Sequence, residues 1–117
     1  MERIKPLIPT LREKKRYITF EIISKNYDFG FKDLSDAIKH EFKELYGTDG
    51  EAKAGIIILS NKYNENTKRG IIRVNNKYLD KLKLSLAMVK NIRYTDVIIK
   101  TIIAAGMIKK ASEKINA

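Results

Sequence analysis

The chain has 117 residues, enough for one domain with a single modest core, and 44% of them are apolar. Its 24 Lys and Arg against 14 Asp and Glu leave a formal charge of +10, so a polyanionic partner is the first expectation. With no Cys and only His40 as an imidazole, the sequence excludes disulfides, thiolate chemistry, cysteine-ligated metals and any paired-His mechanism.

Pro6 and Pro9 mark an extended beginning, and Leu11–Arg16 is a charge run, so residues 1–16 read as a basic arm. Tyr17–Ser24 is β-branched and aromatic, with Ile18, Phe20 and Ile22 on one face and Tyr17, Thr19 and Glu21 on the other. After a turn with Asp28 and Gly30, the stripe Phe31, Leu34, Ile38, Phe42 and Leu45 predicts a helix over 31–46. Gly47 stands where a left-handed stop belongs, followed by a polar loop over 48–53. Ala54–Ser60 is apolar on both faces, as in a covered strand. Asn61–Lys68 turns the chain and Arg69–Asn75 returns it as a strand.

A second helix is predicted over 77–90, with Leu79, Leu82, Leu86 and Val89 inward. Asn91–Thr95 reads as a loop. Asp96–Ala104 reads as a fourth strand, with Val97, Ile99, Thr101 and Ile103 alternating against Ile98, Lys100 and Ile102. Gly106 ends it, and Met107–Ile115 suits a short terminal helix. The order β-α-β-β-α-β predicts an α+β, ferredoxin-like or RRM-like sandwich over 17–117. Its four-stranded antiparallel sheet would carry two helices on one face and show Tyr17, Glu21, Arg73 and Lys100 on the other.

Charge is distributed unevenly. Residues 1–16 hold six Lys and Arg against two Glu, residues 62–83 seven against two acids, and residues 90–117 six against two. Residues 27–51 reverse this, with three Lys against seven acids, so one anion-facing side and one side turned away are expected. No apolar run is long enough to span a membrane and no signal core is present, which implies a cytoplasmic location.

Nothing in the sequence supports nucleophilic or acid–base catalysis. His40 lies beside Glu41 without a Ser partner, and Asp33 and Asp36 sit where carboxylates complement a helix start. A small phosphatase would need an anion cradle after the first strand, but that loop carries Asp28 and leads into an acidic helix. RNA binding is the stronger line. Lys68-Arg69-Gly70-Ile71-Ile72-Arg73-Val74 keeps the basic-Gly opening of an RNA-recognition strand but has Ile71 and Arg73 where stacking rings belong. Base-stacking readout of sequence is therefore not expected, and contacts from Arg and Lys to phosphate, reading shape, are expected instead. Ile71, with Tyr17, Ile98 and Ile102, marks either a protein interface or a surface covered by the terminal helix.

The runs PTLREKKRYITFEI (9–22), FKDLSDAIKHEFKELYG (31–47), AGIIIL (54–59), TKRGIIRV (67–74), KYLDKLKLSLAMV (77–89) and VIIKTIIAAGMIKKA (97–111) together resemble one family across nearly the whole chain. It is the family of the second protein component of archaeal ribonuclease P, whose eukaryotic counterpart is the Pop-five subunit of ribonuclease P and MRP. The resemblance implies a non-catalytic subunit of the ribonucleoprotein that removes the 5′ leader from precursor tRNA. There the RNA does the hydrolysis with magnesium bound to it, and the protein itself holds no cofactor. The implied partners are that RNA, precursor tRNA indirectly, and a thirty-kilodalton TIM-barrel-like subunit, two copies of each forming a heterotetramer. Arg12, Lys14, Lys15, Arg16, Lys68, Arg69, Arg73 and Lys77 are the expected RNA contacts, with Lys109 and Lys110 beside them. The alternative is a protein–protein scaffold in another ribonucleoprotein.

Overall fold

The computed structural model describes residues 14–116; the rest of the arm, Arg12 included, lies outside them. The elements run β1 (Lys15–Ser24), α1 (Phe31–Ala54), β2 (Ile57–Ile58), β3 (Arg69–Asn75), α2 (Leu79–Met88), β4 (Asn91–Ile92), β5 (Thr95–Ala105) and α3 (Ile108–Ser112). The strands form one sheet in the order β2-β3-β1-β5-β4, with every neighbouring pair antiparallel. The expected four-stranded sheet is thus five-stranded. The extra strand is Asn91–Ile92, which pairs back onto Thr95–Asp96 from what the sequence suggested was a loop.

Alternation along β1 sends Ile18, Phe20 and Ile22 to one face, where they meet Leu34, Ile38 and Phe42 of α1 and Leu82 and Leu86 of α2. All of these side chains are buried, and each such burial stabilises the fold by about 1.5–3 kcal/mol. The start of α1 is fixed by Asp33, whose carboxylate accepts from the Gly30 amide at 3.1 Å and lies near the first-turn N–H groups.

Gly47 does break the helix, at φ 77° and ψ 173°, but helix resumes through residues 48–54 where a loop was predicted. Glu51, Ala52, Lys53 and Ala54 are good helix formers, and Lys53 pairs with Asp49 one turn back at 3.1 Å. The helix ends at Gly55, φ 61°, against the side chain of Asn75. The Asn75 amide donates to the free Lys53 carbonyl at 2.6 Å, which ties the end of α1 to the end of β3. Because α1 runs on to Ala54, β2 shrinks to two residues at the sheet edge, with Ile58 inward and Ile57 exposed.

The second face of the sheet, expected to show Tyr17, Glu21, Arg73 and Lys100, is covered in its middle by the terminal helix, one of the two readings given for Ile71. α3 lies across β1 and β5, and Ile71, Ala111 and Ile115 form a small second core with Tyr17 and Leu59 at its margin. Thr19 is fully buried there, and its hydroxyl donates to the Ala111 carbonyl at 2.7 Å. A bulge at Ile102 shifts the β1–β5 register, so that Thr101 opposes Phe20 but Ile103 opposes Thr19. Ile103 and Ala105 therefore face α3, which corrects the strict alternation expected of Ile103.

Gly70 sits opposite Phe20 in the middle of the β1–β3 ladder. A Cβ there would lie 2.8 Å from the Phe20 ring and 2.9 Å from the Tyr63 ring, which stack on each other at 6.4 Å. Gly70→Ala is expected to destabilise the fold by about 1–3 kcal/mol, read as a lower urea midpoint. Gly106→Ala, whose added Cβ meets nothing, serves as the control and should leave the midpoint nearly unchanged.

Candidate nucleic-acid interface

The expected cations separate into two groups at opposite ends of β1. At its start, Lys15 opposes Asn75, Arg16 opposes Val74 and Tyr17 opposes both Arg73 and Ala105. The end of β3, the end of β5 and the beginning of α3 therefore converge on Lys14, Lys15 and Arg16. Lys14, Lys15, Arg16, Tyr17, Asn76 and Gly106 line one shallow depression of about 560 Å³. Lys77 follows Asn76, and Lys109 and Lys110 follow Gly106 within one turn of α3; all three are exposed.

Amides, not carboxylates, hold this group. Lys15 donates to the Asn75 side chain, and Arg16 Nη1 donates to Asn76 Oδ1 at 3.3 Å. Among the described residues no Asp or Glu pairs with Lys14, Lys15, Arg16, Arg73, Lys77, Lys109 or Lys110. The Nε atoms of Arg16 and Arg73 are buried without a hydrogen-bond partner among the described residues.

Lys68 and Arg69, at the other end, are committed to the fold. The loop is built on Asn64, whose side-chain oxygen accepts from the amides of Asn66 and Thr67 at 2.8 and 3.2 Å. Lys68 closes it at φ 58°, its amide donating to the Asn64 carbonyl at 2.8 Å. The Lys68 ammonium lies 4.6 Å from the centre of the Tyr27 ring and 3.7 Å from Glu65. Arg69 donates through Nε and Nη2 to Glu21 Oε1, at 3.3 and 3.2 Å, and through Nη1 to the Lys114 carbonyl at 2.8 Å. Thr67 adds a bond to the Ile115 carbonyl at 2.7 Å, and Asn64 meets Asn116. The hairpin therefore clamps the residues that follow α3. Gly70, the glycine of the apparent RNA-recognition opening, is there for the Phe20 and Tyr63 rings.

The possible interface residues also part company. Ile71 is fully buried beneath α3, so the covered-surface reading holds for it and an exposed interface does not. Tyr17 and Ile102 are half-buried, and Ile98 is 64% exposed. Sequence reasoning missed Leu84 and Met88, one turn apart on α2 and open to solvent, and Tyr94, fully exposed at the β4–β5 turn. His40 is exposed, and among the described residues no cluster of three or more His, Asp or Glu is placed to hold a metal. No helix among them is long and apolar enough to cross a membrane.

The model of the Rpp14/Pop5 family matches residues 16–116. The chain is 38% identical over 113 residues to ribonuclease P protein component 2 of Pyrococcus furiosus, covering 97% of this chain and 92% of that protein. It is 36% identical over 114 residues to the protein of the same name from Pyrococcus horikoshii, with the same coverage of each. A match to the Methanocaldococcus jannaschii protein of that name reaches 45% identity over 56 residues, 46% of this chain and 40% of that protein. In three dimensions the fold is similar to a chain in the cryo-EM structure of yeast ribonuclease MRP. The TM-score is 0.63 at 16% identity, over 81% of this chain and 76% of that one.

Arg69→Ala leaves Glu21 and the Lys114 carbonyl without their donor, and is expected to cost about 1–3 kcal/mol in urea unfolding. Burial, then the charges of Glu65 and Tyr27, push the Tyr63 hydroxyl up to about 12. The stability linked to its proton is fully present below the ordinary value of 10 and is lost as pH rises towards about 12. Tyr63→Phe should lack that part of the alkaline decline, as measured by unfolding at stepped pH.

Proposed function

The chain belongs to the Rpp14/Pop5 family, and we propose that it works as a protein subunit of ribonuclease P, binding and stabilising the catalytic RNA for removal of the 5′ leader from precursor tRNA. In this reading the RNA performs the phosphodiester hydrolysis with magnesium held on the RNA, and the protein supplies positioning. The names of the archaeal relatives support it and disfavour a scaffold role in another ribonucleoprotein.

The observation that carries the reading is the gathering of Lys14, Lys15, Arg16, Arg73, Lys77, Lys109 and Lys110 at one end of the sheet without carboxylate partners among the described residues. Concentrating like charges costs free energy in the free protein, and phosphates that neutralise them recover it while releasing counterions. Lys and Arg contacts of this kind fix register on a folded RNA without reading bases. Lys68 and Arg69 contribute indirectly, by holding the segment after α3 in place. The protein partner in this reading is a thirty-kilodalton TIM-barrel-like subunit, two copies of each chain forming a heterotetramer. The exposed Leu84 and Met88 of α2 offer an apolar surface suited to it.

Precursor-tRNA cleavage reconstituted at limiting magnesium is expected to accelerate when this chain is added. A variant with Lys14→Glu, Lys77→Glu, Lys109→Glu and Lys110→Glu, all exposed positions, should fold normally and lose that effect. If about six phosphates are contacted, wild-type affinity should fall about a thousandfold between roughly 50 and 200 mM salt. Each lost contact should lower the logarithmic salt slope by about one. An unchanged cleavage rate with and without the chain would remove the role.

A further inference from the structure

The β4–β5 hairpin ends in a turn whose chemistry does not match its geometry. Ile92 pairs with Thr95, leaving Arg93 and Tyr94 as a two-residue loop, and their φ values are 49° and 66°. Positive φ at both central positions defines a type I′ turn, which selects Asn-Gly or Asp-Gly because side chains crowd the backbone there. Here two of the larger side chains occupy it. The consequence is a Tyr side chain that touches almost nothing: Tyr94 is fully exposed, more so than any other large apolar residue described.

Tyr94 also forms one wall of a depression of about 590 Å³. The floor is apolar, since Ile23 and Ile98 are cross-strand partners on the face of the sheet that α3 covers farther along. Both remain exposed, at 44% and 64%. The rim is polar, with Ser24, Lys25, Asn26 and Asp96. Asn26 is engaged with Asp28 at 2.8 Å and Ser24 with backbone carbonyls, whereas the Asp96 carboxylate has no partner among the described side chains. Lys100 lies two residues beyond Ile98 on the same face, and Lys90 and Arg93 flank the hairpin, Arg93 lying 3.6 Å from Asp33.

A flat aromatic face, an apolar floor, an acceptor at the rim and surrounding cations together suit one planar ring attached to a phosphate backbone. We propose that the Tyr94 tip and the Ile23–Ile98 depression form a stacking site for a single unpaired nucleobase of the bound RNA. The site rests on the reading of this chain as an RNA-binding subunit, and lies at the opposite end of β1 from the basic cluster. The cluster holds phosphates irrespective of sequence. The hairpin holds a ring, and the Asp96 carboxylate favours a base whose edge offers an amino or imino N–H. Stacking readout, absent from the central strands because of Ile71 and Arg73, is thereby moved to the sheet's edge.

The test uses the full chain and a series of single-stranded oligoribonucleotides, each carrying 2-aminopurine at one position, together with an abasic series of equal length. Wild type and Tyr94→Phe should quench 2-aminopurine at one or a few positions. Tyr94→Ala and Tyr94→Gly should not, and their affinity at fixed salt should be lower by about 5- to 150-fold. Tyr94→Gly also relieves the turn, so its loss cannot be ascribed to misfolding. On abasic oligonucleotides all four proteins should bind alike, with the same salt slope. Equal quenching and affinity for Tyr94→Gly and wild type, with salt-dependent binding intact, would overturn the stacking site while leaving the subunit reading standing. Failure of wild type to bind any of the oligonucleotides or the larger RNA would overturn both.

Discussion

A single buried hydroxyl explains much of how this protein is arranged. Thr19 lies in the middle of the central strand, and its hydroxyl donates to the Ala111 carbonyl of α3. A polar group taken out of water needs such a partner, and here the partner brings a helix with it. With α3 on one side and α1 and α2 on the other, the middle of the sheet is covered twice. Among the described residues, its two ends are less covered. The cations at the start of β1 and the aromatic turn beyond its end follow from that constraint.

The basic hairpin shows how composition and position answer different questions. Lys68 and Arg69 contribute to the +10 charge as fully as any other residue. Yet Arg69 is spent on Glu21 and Lys114, and Lys68 on Glu65 and the Tyr27 ring. A partly buried guanidinium with three hydrogen bonds to two protein acceptors has little left to offer a phosphate. Lys14, Lys77, Lys109 and Lys110 look no different in sequence, but the fold leaves them at the surface without acids among the described residues.

What was legible in the sequence is what repeats with a period. The alternation in Ile18–Phe20–Ile22 and the stripe Leu34–Ile38–Phe42 place the core, because burial of these faces outweighs every local preference. Features without a period were not legible. Gly47 reads as a stop and does break the helix, but nothing local says that Glu51–Ala54 will start again beyond it. The bulge at Ile102 carries no marker, since β5 is apolar on both sides of it and α3, which makes use of the shift, lies farther along the chain. The Arg93-Tyr94 turn lacks the glycine or asparagine that announces such a hairpin, so β4 and the site built on it were invisible. The basic cluster was legible as residue types but not as a place, because register alone brings Lys14 and Gly106 together.

The strand order also governs how the molecule can come into being. β1 is the first of the described strands, yet its neighbours are β3 and β5, both of which come after α1. Among the described residues, nothing pairs with β1 until β3 has been made, and its second edge waits for β5. Pairings so distant in sequence slow folding and lengthen the exposure of an apolar edge to wrong partners. The Lys14-Lys15-Arg16 run at the head of that strand is the kind of charge that discourages edge-to-edge association. The lysines proposed to meet an RNA in the finished protein thus also guard an exposed strand before the fold is closed.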